Sequence, residues 1–164
     1  MADLTNPDDA RWMRDALREA EAAFRDGEVP VGAVVVRDGR VVARGHNQVE
    51  RLQDATAHAE ILAIGAAASA AGSWRLLDAT LYVTLEPCPM CAGAILLARV
   101  QRVVFGARDP EMGAAGSRVD LFSGSILRHR AVVSGGILDE ESGALIREFF
   151  AARRKGPAHG PKWN

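Results

Sequence analysis

Cysteine is almost missing from this chain: 164 residues carry two thiols, Cys88 and Cys91. With both in one short motif, no disulfide framework of the kind that staples small secreted domains can be built. Long apolar runs are missing too, so no segment reaches the length needed to span a bilayer. The first residues, Met1-Ala2-Asp3-Leu4, lack the basic and then hydrophobic pattern of a secretory signal. The cytoplasm is therefore the expected location. Net charge is nearly absent as well, at −1, so the whole molecule does not advertise a polyanionic partner. There are no internal repeats and no second domain. Residues 1–155 read as one domain, and residues 156–164, with Gly and Pro, as a disordered tail.

What is present is a core and an uneven charge distribution. Nearly half of the residues are hydrophobic (48%), enough at this length for one well-buried core. Residues 1–30 hold eight acids against four arginines, whereas residues 145–164 hold Arg147, Arg153, Arg154, Lys155 and Lys162 against Glu148 alone. A basic end of this kind could meet phosphates, and it equally suits a solvated helix end whose cations oppose the helix dipole.

Two short stretches carry the chemistry. Thr56-Ala57-His58-Ala59-Glu60 gives His-x-Glu, and Pro87-Cys88-Pro89-Met90-Cys91 gives Pro-Cys-x-x-Cys. One imidazole and two thiols suit zinc, and three protein ligands leave one position for water. Glu60, two residues from the histidine, is not needed as a ligand and can carry protons. Cys88 and Cys91 are three apart, so on a helix their thiols share one face. Pro87 and Pro89 belong at the entrance of that helix, where a missing N–H costs little. A helix N-terminus also favours the thiolate that a metal requires.

Zn²⁺ with two thiolates and a neutral imidazole sums to nearly zero charge. Such a centre acidifies its bound water less than an all-histidine site would, which makes a nearby base useful. The expected chemistry is hydrolysis by zinc-activated water, with Glu60 moving the protons. A redox Cys-x-x-Cys pair would leave His58 and Glu60 idle. A closed structural zinc site would need a fourth ligand, and neither His46 nor His129 has spacing to support that role.

The rest of the chain frames these stretches. Asn6-Pro7-Asp8-Asp9 starts a helix, and Trp12, Met13, Ala16, Leu17, Ala20, Ala23 and Phe24 follow at helical spacing until Gly27. Strands are expected at 31–36 and 41–43, joined by the tight-turn signal Asp38-Gly39. Residues 48–55 read as a polar loop, and a helix runs from about His58 to Gly72. A strand at 80–85 leads into the cysteine helix, which ends near Ala98, and a strand follows at 102–106. Short links in that strand-helix-strand unit predict a parallel pair. Metal ligands then fall at carboxyl ends of strands, where open α/β sheets place their sites. A glycine-bearing loop covers 107–117, a short turn or helix 119–122, a last strand 131–133, and a C-terminal helix runs from about Asp139 to Arg154.

The paired motifs are identified as the signature of the zinc nucleobase deaminases, and the element order resembles the cytidine deaminase-like fold. That implies three α/β/α layers around a mixed sheet, an N-terminal hairpin followed by βαβ units. Further segments resemble the bacterial tRNA adenosine deaminases: Glu28-Val29-Pro30-Val31-Gly32-Ala33, Gly45-His46-Asn47, Val103-Val104-Phe105-Gly106-Ala107-Arg108-Asp109, Gly113-Ala114-Ala115-Gly116-Ser117 and Phe149-Phe150 with basic residues after it. Ala55 departs from the proline usual in that family. The resemblance implies conversion of wobble adenosine to inosine in a tRNA anticodon arm, one zinc ion per subunit, and a homodimer. It implies that Asn47 bonds the flipped nucleoside, that Val29 and Leu85 wall the base, and that Asp109 meets the loop backbone. It gives Phe149 and Phe150 a place beside nucleotides, and Arg153, Arg154 and Lys155 a place at phosphates. Each has a plainer reading: a strand cap, core packing, a turn aspartate, a core aromatic, a solvated helix end. Two rivals are a free guanine or cytosine (nucleo)base deaminase and a zinc-stabilised RNA-binding module.

Overall fold

The computed structural model describes residues 6–124 and 127–155; the expected disordered tail, 156–164, lies outside them. Helix α1 (Asp9–Arg25) starts slightly later than its sequence predicts: Asp8 holds the cap position without a side-chain cap bond, and Asn6, ahead of Pro7, accepts the Asp8 N–H at 3.0 Å through its side-chain oxygen. Its buried residues Trp12, Met13, Ala16, Ala20 and Ala23 form one stripe, and Gly27 stops the chain at φ +76°. Strands β1 (Gly32–Arg37) and β2 (Arg40–His46) form the expected hairpin. Asp38 and Gly39 both have positive φ, the requirement of a turn whose twist matches the strands.

Then follow α2 (Val49–Leu52), α3 (Ala59–Ala71), β3 (Thr80–Leu85), α4 (Pro89–Leu97), β4 (Arg102–Ala107), β5 (Val132–Gly135) and α5 (Asp139–Lys155). The sheet order is β2-β1-β3-β4-β5. The two β1 pairings are antiparallel, while β3–β4 and β4–β5 are parallel. The β3-α4-β4 unit is thus the parallel crossover its short links demand.

Alternation along the strands sorts the layers. Ala33, Val35, Leu81, Val83, Val103 and Phe105 point into a core shared with α3 and α4. Val34, Val36, Tyr82 and Val104 point to the opposite face, against α1, where Gly106 also meets Ser142 of α5. Two glycines set the spacing of these layers. A Cβ at Gly32 would lie 2.1 Å from the Ala16 carbonyl oxygen, and one at Gly45 would lie 2.6 Å from that of Ala59. Helices α1 and α3 therefore sit directly on strand backbone.

Three further expectations are refined. Residues 48–55 contain the one-turn helix α2, because Glu28, more than twenty residues earlier, accepts the N–H groups of Glu50 and Arg51. Of the two alternatives at residues 119–122 the turn holds and the helix does not: Ala115 and Asp120 make an isolated bridge, and the Asp120 carboxylate turns the chain by accepting the N–H groups of Phe122 and Ser123. The last strand lies at Val132–Gly135, since its register follows Arg102 to Phe105. Gly135 is required there, because a Cβ would sit 2.2 Å from the Phe105 ring.

On the α1 face, Arg102 makes two parallel 2.7 Å bonds to the Asp9 carboxylate. Tyr82 adds a third donor at 2.8 Å, and Arg102 also reaches Ser134 at 3.1 Å. This buried group ties the start of α1 to three strands. Burial alone would raise the Asp9 carboxyl, but the bonds from Arg102 and Tyr82 outweigh it and hold it below its ordinary value.

Candidate active site

The carboxyl ends of β2 and β3 lie at the same end of the sheet, and α3 and α4 start there. His58 is the residue before the first turn of α3, in extended backbone (φ −73°, ψ 153°). Cys88 holds the same place before α4 (φ −73°, ψ 171°), with Pro89 at the first helical position. The two helix N-termini bring three donors together. The His58 Nδ1 lies 3.7 Å from the Cys88 Sγ and 3.4 Å from the Cys91 Sγ, and all three atoms lie within 4.8 Å of one another.

Those separations fit a tetrahedral ion. Ordinary zinc–nitrogen and zinc–sulfur bond lengths put neighbouring N and S donors about 3.6 Å apart. Among the described residues no fourth His, Cys, Asp or Glu joins this cluster. His129 is bonded to the Val100 carbonyl at 2.7 Å, and His46 faces Glu19 at 3.2 Å, so neither closes the set. The donor set has the open coordination position expected of a catalytic centre.

The protons of the cluster tell the same story. The Cys88 thiol is pushed down to about 4, chiefly by its hydrogen bond from Cys91 and then by His58, against the effect of burial. Cys91 is pushed up, first by that same bond, then by burial and the nearby Glu60. His58 is raised by its bond to Cys88 and by the Glu60 charge. A cation on these three donors would displace the protons they share, so its binding would release protons.

Glu60 lies in the first turn of α3 and is buried. Burial pushes its carboxyl up to about 7. A dication on the neighbouring donors would favour the ionised form, the form that accepts a proton.

Above the cluster is a cavity of about 580 Å³, within the range of small-molecule sites. Val29, Asn47, Leu85, Asp109, Phe150 and Arg153 line it, together with His58, Glu60 and Cys88. Cys91 is buried behind them. The Asn47 amide donates to the Val29 carbonyl at 3.2 Å and accepts the Val49 N–H at 3.3 Å. That fixes its orientation and leaves one N–H and one lone pair for a ligand. The Asp109 Oδ1 accepts the N–H groups of Glu111 and Met112, so this aspartate builds its own turn.

Two sequence expectations move. Phe149 does not reach the cavity: it is buried, packed edge-on against Phe24 at 5.8 Å and beneath Phe150 at 5.4 Å. Adjacent helical residues point about 100° apart, so only Phe150 faces outward. Arg154 is exposed outside the cavity lining. Arg153 donates to the Gly27 carbonyl at 2.9 Å and stacks 4.6 Å from the Phe149 ring centre, joining α5 to the end of α1.

Sequence reading missed Glu28, Val49, Glu86, Arg108, Met112 and Ile146 in the lining. Glu28 and Glu86 had one legible signal, an acid bordering an apolar strand. Both are buried. For Glu86, burial would raise the carboxyl, but bonds from Ser117 and from the backbone of Asp109, Ser117 and Ala115 hold it low.

Known proteins match this arrangement. A family model described as MafB19-like deaminase covers residues 7–154. The tRNA-specific adenosine deaminase of Bacillus subtilis (strain 168) is 50% identical over 90% of this chain and 91% of its own length. The chloroplastic tRNA(adenine(34)) deaminase of Arabidopsis thaliana is 47% identical over 88% of this chain, which matches only 12% of that longer protein. A solved structure from work on A-to-I editing by tRNA:A34 deaminases at the wobble position of transfer RNA superposes with a TM-score of 0.80. It is 49% identical and covers 82% of this chain and 98% of its own. A guanine deaminase from Nitrosomonas europaea superposes at 0.76 with 28% identity, covering 90% and 86%. On the family model and on half-identity across nine-tenths of its length, the chain belongs to the MafB19-like deaminases and, among them, to the tRNA-specific adenosine deaminase family.

Proposed function

We propose that this protein hydrolyses adenosine to inosine at the wobble position of a tRNA anticodon loop, with residues 1–155 acting as one deaminase domain. The observation that carries the reading is a buried Glu60 beside an open His58–Cys88–Cys91 cluster, at the base of a nucleoside-sized cavity. When bound, one zinc ion per subunit on those three residues would act as a Lewis acid that makes water a better nucleophile.

The residues of the chain do the rest. The target base leaves its stack and enters the cavity. Val29 and Leu85 exclude water from its faces, and Asn47 offers its free amide valences to the nucleoside. Glu60 takes a proton from the attacking water and delivers it to the ring nitrogen next to C6. It then moves the second proton to the departing amine, so that ammonia leaves and the C6 oxygen remains as the carbonyl of inosine. Phe150, 43% exposed at the rim, offers a stacking face to a neighbouring base. Arg153, Arg154 and Lys155 place positive charge beside it, toward phosphate. We assign the cytoplasm as its site of action; among the described residues no helix is long and apolar enough to cross a membrane.

The test is inosine formation in an anticodon stem-loop carrying wobble adenosine, with free guanine, cytosine and cytidine in parallel. Product from the stem-loop alone is expected. Ammonia from guanine and none from RNA would transfer the site to the chemistry of the guanine deaminase it superposes on. Zinc binding with no turnover on any substrate would favour an RNA-binding module.

The assembly we propose is a homodimer closed on α4. That helix has no charged side chain, yet Leu97 is 63% exposed and Met90 36%. A helix apolar all round is ordinarily buried, and a second copy would cover it. Leu97→Asp is expected to shift the light-scattering mass from dimer to monomer while zinc content stays at one per chain. An unchanged mass would place the interface elsewhere.

A further inference from the structure

The carboxylate of Glu86 has no part in the proton transfers, yet it is 1% exposed and bears on the cavity. Its two oxygens collect one whole loop. Oε2 accepts the Asp109 N–H at 3.0 Å and the Ser117 hydroxyl. Oε1 accepts the N–H groups of Ala115 at 2.9 Å and Ser117 at 3.0 Å. Next to it, the Pro87 carbonyl accepts the Ala114 N–H at 2.8 Å. The loop closes over the carboxylate so tightly that a Cβ at Gly113 would lie 2.4 Å from the Glu86 Cδ.

A buried charge survives only where hydrogen bonds replace its water, and here three amides and a hydroxyl do so. Nothing about a strand-to-helix link requires an ionised group in that place. The loop it gathers carries the outer cavity wall, Arg108, Asp109, Pro110, Glu111 and Met112. Its turn is then tightened by Asp109 itself, whose Oδ1 holds the next two amides. The six residues from Glu86 to Cys91 therefore end in two metal donors and begin in the anchor of the substrate wall.

We propose that Glu86 is a positioning residue for RNA recognition: its carboxylate fixes the 108–117 loop in the shape that receives the nucleotides flanking the target base. This rests on the tRNA reading above. The loop has a fixed distance to the metal donors because both hang on one short segment, so the carboxylate sets where the flanking chain must enter relative to the reacting carbon. Loss of the anchor frees the loop and leaves the proton carrier and the donors in place.

Glu86→Gln keeps the shape but turns one acceptor into a donor that faces backbone N–H groups. With zinc at one per chain, its KM for the anticodon stem-loop is expected to rise about tenfold or more, with kcat within about twofold of wild type. Ser117→Ala, which removes only the hydroxyl bond, is expected to raise KM about threefold. Amide hydrogen exchange should accelerate at Asp109, Ala115 and Ser117 in Glu86→Gln, with the α4 amides unchanged. Should Glu86→Gln not fold, Ser117→Ala carries both readouts. Unchanged KM and unchanged exchange in an active, zinc-loaded variant would overturn the proposal, as would a fall in kcat at constant KM. Wild-type inactivity on the stem-loop would instead overturn the substrate reading, and the exchange result would still report on the anchor.

Discussion

Glu60→Gln should bind zinc as the wild type does and lose at least about 10³-fold in kcat on the stem-loop. The side chain keeps its volume in a site that is 4% exposed, so the cavity and the three donors need not move. What disappears is a group that can accept and return a proton, and a positioned carboxylate working in both directions contributes about 10²–10⁴-fold. Because one carboxylate serves both the attack and the departure of ammonia, the loss should fall toward the upper part of that range. The proper contrast is Cys91→Ser, which should lose the metal as well as the activity, since the buried thiol is the donor 3.4 Å from His58. Metal analysis beside single-turnover kinetics separates the two. A Glu60→Gln protein that retains more than about a tenth of wild-type kcat would remove Glu60 from the proton path. Zinc lost together with activity would make Glu60 a ligand instead.

The contrast between these residues and Glu86 shows where sequence is legible. His58, Glu60, Cys88 and Cys91 are placed by local rules: each lies at or within the first turn of a helix whose start the sequence marks, so spacing alone carries their geometry. The sheet is legible for the same reason, since the Asp38-Gly39 turn fixes one pairing and a short crossover fixes another. Glu28 and Glu86 work differently. Their partners lie 22 to 31 residues away in the chain, and an acid reads the same in sequence whether it meets water or a loop of amides. The short helix α2 follows from the first of these and the shape of the 108–117 loop from the second. Neither has a local period to announce it. The aromatic pair is an intermediate case. Period says that Phe149 and Phe150 diverge, but only the presence of Phe24 across the α1–α5 contact decides which of them turns inward.

The largest effect on stability is expected far from the active site, at Arg102→Met. The Asp9 side chain is 2% exposed and that of Arg102 14%; removing the guanidinium leaves a carboxylate in the core with the Tyr82 hydroxyl as its main remaining side-chain donor. Breaking a buried pair from one side costs about 3–5 kcal/mol, which for a chain of this size lowers Tm by about 10 °C. The dependence on pH has a definite sign. In the wild type the Asp9 carboxyl is held below its ordinary value of 3.8, so the pair contributes fully above that value and is lost as pH falls through the depressed one. In Arg102→Met burial dominates and raises the same carboxyl, so acid neutralises it before the wild-type group titrates. The difference in Tm between the two proteins should therefore narrow from pH 7 toward pH 3, measured on metal-free samples so that zinc release is common to both. Asp9→Leu combined with Arg102→Met should recover more than half of the loss, because two apolar groups leave no charge to bury. A deficit that stays constant with pH would mean that Arg102 stabilises by packing its stem, and the double variant would then be no better than the single.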